Sequence, residues 1–387
     1  MPDDQTPAPS RTEIFLGFLR LGLTAFGGPA MLPHIRAMAV GRGWVGEDDF
    51  RVGMAACQSL PGATAMQVAA YVGLRVHGVP GGLAAYLGFG LPAFALITVL
   101  SAIYAASRDV APALAAFAGL QVVVCALMAH AAIDLARRYL TTRTDVALAL
   151  ATGLVFGLRG NPILAIAGAC LAGVVLHRQV HGGAPLPVRS TRRSRGRDMA
   201  WLLGGAAVFL ALVALVRPDL LELCLVMMKV DLFAFGGGYV SLPLMLHEVA
   251  VVRDWLTPQA FMDGIALGQI TPGPIVITSA FVGWMLAGLA GAAAGAVSAF
   301  TPSLLVLAGV LPFFDRLHRW WAFQRALRAS LASLVGLMAA MTGRFLETAQ
   351  WSLATVVIAA AAFFALRKGV DVLWVVLGGA LASIILI

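Results

Sequence analysis

Phe26-Gly27-Gly28-Pro29, Arg42-Gly43-Trp44, Phe50 and Gln58-Ser59-Leu60-Pro61-Gly62 follow one another in the first sixty residues. The same signs return in the same order in the second half, as Phe235-Gly236-Gly237-Gly238, Arg253-Asp254-Trp255, Phe261 and Gln269-Ile270-Thr271-Pro272-Gly273. From Arg42 to Gly62 the register holds without a gap: Arg42, Trp44, Phe50, Gln58, Pro61 and Gly62 match Arg253, Trp255, Phe261, Gln269, Pro272 and Gly273 at one offset. In an apolar chain such a duplication marks a transporter built from two related halves.

The chain is apolar enough for that reading. Of its 387 residues 60% are hydrophobic and 12% charged, against roughly half and a quarter in soluble domains. Apolar stretches long enough to span about 30 Å of hydrocarbon recur along almost the whole length and leave no room for a sizeable soluble domain. The net charge of +8 sits in short arginine clusters between apolar runs, where it serves as a topological signal rather than a nucleic-acid footprint. Cys57, Cys125, Cys170 and Cys224 are scattered singly without metal-ligand spacing, and they read as small core residues. No cofactor or metal is called for. Residues 1–10 are polar and proline-rich and lack the features of a cleaved secretory signal.

Candidate spans are 13–33, 50–75, 80–105, 112–136, 144–159, 161–177, 199–216, 220–246, 259–285, 287–313, 325–343, 350–366 and 370–387, thirteen crossings if each traverses the bilayer. The Gln-x-x-Pro-Gly segments either span or re-enter. Residues 178–198 carry Arg178, Arg189, Arg192, Arg193, Arg195 and Arg197 among Gly, Pro and Ser, the mark of a cytoplasmic loop. Counting outward puts Arg137, Arg138, Arg143, Arg316, Arg319, Arg325, Arg328, Arg367 and Lys368 on the same side. Segment 199–216 is then an extra crossing between two sets of six, and the second copy enters from the opposite face. The expected fold is an all-α polytopic membrane protein. It has two inverted-topology repeats of about six transmembrane segments with discontinuous helices, covering 1–177 and 220–387. A basic linker, 178–198, and a linking transmembrane helix, 199–219, join them.

The glycine clusters at Gly27, Gly28 and Pro29 and at Gly236, Gly237 and Gly238 break helices at membrane depth. Unpaired amides in lipid cost several kcal/mol each, so broken backbone survives only where it is buried in protein or lines a polar cavity. In a cavity, the freed N–H groups at a half-helix start form an anion site; the plainer reading is close helix packing. At the second element, Gln58, Ser59, Thr64, Gln269 and Thr271 supply uncharged hydrogen-bond donors beside Pro61-Gly62 and Pro272-Gly273. Their plainer role is to satisfy carbonyls freed by a kink. Arg20 and Lys229 each lie six residues before the Phe of the glycine element, and two cations suit a dianion. A buried cation costs at least about 2.5–3.5 kcal/mol and normally faces a partner or a water-filled path. Either could instead snorkel, or pair with Glu13, Glu222 or Asp231. Asp231, whose counterpart is Gly22, is the candidate coupling group. Trp44 and Trp255 close Arg-x-Trp turns that anchor loops near the headgroups.

These paired motifs resemble the chromate ion transporter family in its long, two-half form, whose members carry Phe-Gly-Gly-Pro in the first span and Gln-x-x-Pro-Gly in the second. The likeness is strongest over 13–105 and 220–313. It implies chromate efflux across the bacterial inner membrane by a multi-pass protein, with sulfate as the mimicked or competing oxyanion; separately, the sequence has no His-Glu-x-x-His, Gly-x-Ser-x-Gly or phosphate-binding loop, so no enzymatic activity is expected. The likeness further implies that Phe26, Gly27, Gly28, Pro29, Gln58, Pro61, Gly62, Phe235, Gly236, Gly237, Gln269, Pro272 and Gly273 belong to the functional core. Gly238 departs from the pattern, standing where the first copy has Pro29. The partners implied are chromate, sulfate and the lipid bilayer, with no nucleic acid; the sequence permits a homodimer without requiring one. Membrane potential, a proton gradient or both would drive alternating access. The alternative is uptake or exchange of sulfate or another small anion.

Overall fold

The structure is a computed structural model that describes residues 9–24, 31–107, 110–183 and 195–386. The first glycine element, Phe26-Gly27-Gly28-Pro29, therefore lies outside the described residues.

The chain enters with α1 (Arg11–Thr24) and returns with α2 (Met31–Gly41). A straight helix would put Phe18 and Trp44 about 39 Å apart at 1.5 Å per residue, yet their ring centroids are 6.3 Å apart. Next come α3 (Glu47–Ser59) and α4 (Thr64–Ala106). Pro61 lacks the N–H needed to carry α3 onward, and Gly62, at φ +117°, turns the chain back. Consequently Tyr71 donates to the Asp49 carbonyl at 2.9 Å and Arg75 pairs with the Asp49 carboxylate at 2.7 Å. Within α4 a second reversal at His77 and Gly78 brings Gly73 and Gly81 into backbone contact. The rest of α4 is the first full-length crossing, followed by α5 (Ala111–Tyr139) and the short pair α6 (Arg143–Gly157) and α7 (Pro162–Leu176).

After α8 (Arg195–Val216) the plan repeats. The third fold-back is formed by α9 (Leu221–Leu232) with α10 (Ser241–Leu246), which a π-helical turn, His247–Val252, extends. It brings Glu222 to Arg253 and Lys229 to Glu248, each at 2.7 Å. The fourth joins α11 (Pro258–Ile270) to α12 (Thr278–Val310), with Gly264 against Phe281. Ala287 and Gly288 reverse α12 as His77 and Gly78 reverse α4, and Gly283 meets Gly291. Then follow α13 (Phe314–Arg319), α14 (Trp321–Thr348), α15 (Leu353–Arg367) and α16 (Val372–Leu386).

Four of the thirteen expected crossings, 13–33, 50–75, 220–246 and 259–285, are thus helical hairpins rather than single helices. Hydropathy counts apolar residues and does not register that the chain reverses midway. Among the described residues, five helical stretches are long and apolar enough to cross a membrane: Thr64–Ala106, Ala111–Tyr139, Met199–Val216, Ile275–Arg319 and Trp321–Thr348.

The halves are interleaved. α4 and α12 pack together at the centre, α5 packs on α15 and α16, and α14 packs on α6 and α7. Corresponding elements share their local signals: α6 and α15 both start with a capping box, at Thr142 and Ser352. Arg42 and Arg253 each lie 5.4 Å over the Trp of their turn. The arginine loops meet at one end. There Arg328 binds buried Asp145 at 2.8 Å, Arg325 donates to the carbonyls of Arg178 and Val180, and Arg367 pairs with Asp134 at 3.2 Å.

Candidate functional site

Among the described residues, two hairpin tips visibly cross. Pro61 and Phe235 form an isolated antiparallel bridge, and the Gly62 amide donates to the Ala234 carbonyl at 2.9 Å. The second-element tip of one half is therefore stitched to the glycine tip of the other. Backbone freed by one break satisfies backbone freed by the other, as water-free surroundings demand.

Asp231 and Ser303 secure the crossing. Just after Pro302, the Ser303 amide donates to Asp231 at 2.7 Å. The Ser303 hydroxyl lies 2.6 and 2.8 Å from the two carboxylate oxygens and accepts from the Ala63 amide at 3.0 Å. Gln67 adds a bond from Nε2 to the Pro61 carbonyl at 2.6 Å. In the first half the corresponding place is apolar, with Gly22 directly against Phe89 and Pro92, and Ala93 against Gly273. The lone acid thus has a local reason. Replacing Asp231 with Asn sets an amide donor against the Ser303 donors and is expected to cost about 1–3 kcal/mol, read as a lower thermal unfolding midpoint in detergent. A group serving only to carry a proton would instead alter the pH dependence of transport and leave stability unchanged.

A cavity of about 150 Å³ lies beside the crossing. Gln58, Thr64 and Ala65 line it from one tip, Gly236, Gly237, Gly238 and Tyr239 from another, and Pro274 and Ile275 from a third. Leu32 contributes from the arm that follows Pro29, so all four hairpins reach it. Its rim is the end of α5, with Leu135, Tyr139 and exposed Arg138. Gly236 and Gly237, at φ +89° and +113°, hold a conformation that L side chains rarely adopt. At Thr64 and Ala65 the returning arm begins, and the first amides of a helix have no carbonyl partner within it. Those amides, the Thr64 hydroxyl and the Gln58 amide are donors suited to oxyanion oxygens in a site of reduced dielectric.

The other expected site residues are placed differently. Ser59 and Thr271 hydroxyls bond back to the carbonyls of Ala55 (2.8 Å) and Gly268 (2.7 Å), the plainer of their two readings. Gln269 is buried with its Nε2 unpaired. Gly273, at φ +127°, turns the fourth tip just after Pro272. Lys229 pairs with Glu248, and Arg20 lines a separate pocket with Arg42. The two cations therefore do not meet in the cavity. Six residues along a helix is about 9 Å from the break, which takes both down the hairpin arms. The cation at the cavity is Arg138, which the sequence offered only as a positive loop residue. Tyr239, directly after the glycine triplet, and Ser303, directly after Pro302, had no separate signal.

A family model described as chromate transporter matches residues 12–174 and again 221–384. The chain is 38% identical over 372 residues to an uncharacterized transporter of Methanocaldococcus jannaschii, covering 95% of this chain and 92% of that protein. It is 32% identical to a chromate transport protein of Pseudomonas aeruginosa (85% of this chain, 80% of that one). With the chromate transport protein of Cupriavidus metallidurans it shares 29% identity over 89% of this chain and 85% of that one. No solved structure matches.

Proposed function

This chain belongs to the chromate transporter family, a family of transporters and not of enzymes, and from that premise we propose that it exports chromate through the cavity at the crossed tips. The observation that carries the reading is the meeting of all four hairpins at one cavity lined by hydroxyl, amide and helix-start donors. A tetrahedral dianion presents oxygens on every side, and donors converging from several elements suit it better than a single charged clamp.

The two halves are proposed to be inverted in a cytoplasmic, or inner, membrane. In support, α6 begins beside α14 at the arginine-rich end through Asp145 and Arg328, whereas its counterpart α15 finishes there through Arg367 and Asp134. With that end cytoplasmic, the cavity beside Arg138 is reached from inside the cell. Rocking of one half against the other about the stitched tips would move the opening to the far side. The potential is worth about 2.3 kcal/mol per charge per 100 mV, roughly 4.6 for a dianion leaving an inside-negative cell. Asp231, bonded to Ser303 and not among the cavity-lining residues, is assigned to holding the tips together.

The test is chromate flux from loaded proteoliposomes at alkaline pH, with an imposed potential, with and without a pH gradient, and with sulfate as competitor. Efflux that accelerates with inside-negative potential and slows with sulfate supports the reading. Efflux indifferent to potential, or transport of monovalent anions alone, contradicts it.

A further inference from the structure

The hairpin bases differ between the halves in a way the repeat makes readable. In the second half Lys229, Arg253, Glu222 and Trp255 gather where the hairpin opens. There Glu248, only 3% exposed, binds Lys229 at 2.7 Å and Arg253 at 2.5 Å. In the first half Arg20, Arg42, Glu13 and Trp44 occupy the corresponding places and line a pocket of about 320 Å³. Nothing there plays the part of Glu248, because the returning arm Met31–Gly41 contains no acid. The second arm is two residues longer between its Phe and its Arg, and it carries the π-helical turn His247–Val252 that includes Glu248. Insertions absorbed as π-turns commonly mark functional positions. Glu13 also lines the pocket, within electrostatic reach of Arg42, and its carboxylate accepts from the Ser10 amide at 2.6 Å. Among the described residues neither Arg20 nor Arg42 makes an ion pair.

We propose that Arg20 and Arg42 bind an external phosphate-type oxyanion in the place that the Glu248 carboxylate fills in the second half. Two guanidinium groups suit phosphate oxygens through paired, charge-assisted N–H bonds. The site stands at the base of the hairpin beside Trp44, a residue type that settles at the headgroup level, and next to exposed Leu16. A phospholipid phosphate or a free phosphate ion would supply the same chemistry. The proposal does not depend on what the central cavity carries.

Purified full-length protein would be tested with inorganic phosphate alone, with phosphatidylcholine, and with phosphatidylglycerol, reading retained adducts by native mass spectrometry and the thermal midpoint. Wild type is expected to keep one anion, with Arg20→Gln and Arg42→Gln binding about tenfold more weakly and Arg20→Lys retaining most of the affinity. Glu248→Gln, which frees Lys229 and Arg253, is expected to gain a second anion. Stabilisation by phosphatidylglycerol but not by phosphate assigns the site to lipid, and stabilisation by phosphate at equal strength assigns it to the free ion. Equal adduct retention by wild type and Arg20→Gln with every probe, or no added anion in Glu248→Gln, overturns the proposal. Should Arg42→Gln fail to fold for want of its stacking on Trp44, Arg20→Gln alone decides.

Discussion

Gly62→Ala is expected to remove most folded, transport-competent protein from the membrane. Gly62 sits at φ +117°, where a side chain costs about 1–3 kcal/mol in backbone strain. Its Cβ would also fall on the Ser303 hydroxyl. Ser303 cannot move aside freely, since its amide and hydroxyl serve Asp231 and its hydroxyl accepts from Ala63. Displacing it strands a buried carboxylate, a loss of about 3–5 kcal/mol by analogy with broken buried pairs. Together these approach the whole stability of a typical domain, about 5–15 kcal/mol. Gly273→Ala provides the internal comparison: φ is +127°, but the new methyl would meet only the Cβ of Ala93 at 2.8 Å. Thermal unfolding and yield in detergent should therefore rank wild type above Gly273→Ala and Gly273→Ala above Gly62→Ala. Equal losses in the two variants would mean that the Asp231–Ser303 junction does not hold the crossing.

Arg138→Glu is expected to cut chromate flux at low concentration by about tenfold or more, with the deficit shrinking as salt is raised. Arg138 is exposed at the cavity rim, so reversing its charge alters the field that an approaching dianion meets without disturbing a buried contact. The change should fall on KM more than on the maximal rate, as measured by initial rates across an ionic-strength series. A salt-independent loss of maximal rate would instead point to a structural part for this residue.

The duplicated motifs are legible because glycine and proline interrupt apolar runs at matching positions, and the constraint acts locally. Chain direction is not. A hairpin of two short arms, such as Arg11–Thr24 with Met31–Gly41, holds about as many apolar residues as one crossing. Gln58, Thr64 and Gly236 to Gly238 do line one cavity, as donors and broken backbone in lipid require of each other. Arg20 and Lys229 match across the halves, yet neither lines this cavity. Matching places in two halves show common descent of the arms, whereas the partner that fixes Lys229, Glu248, comes from an arm that differs in length. Asp231 stands out in the sequence as an unmatched acid, but its partner Ser303 lies 72 residues away and no periodicity connects them.

The most direct comparison sets Gln58→Leu combined with Thr64→Val against Arg20→Gln, each reconstituted at equal density and assayed for voltage-driven chromate flux. Loss of two donors to a charged solute should lower the flux of the double variant by on the order of a hundredfold, while Arg20→Gln keeps most of the wild-type rate. Full flux in the double variant alongside arrest in Arg20→Gln would place the oxyanion on the hairpin arms and not at the crossed tips.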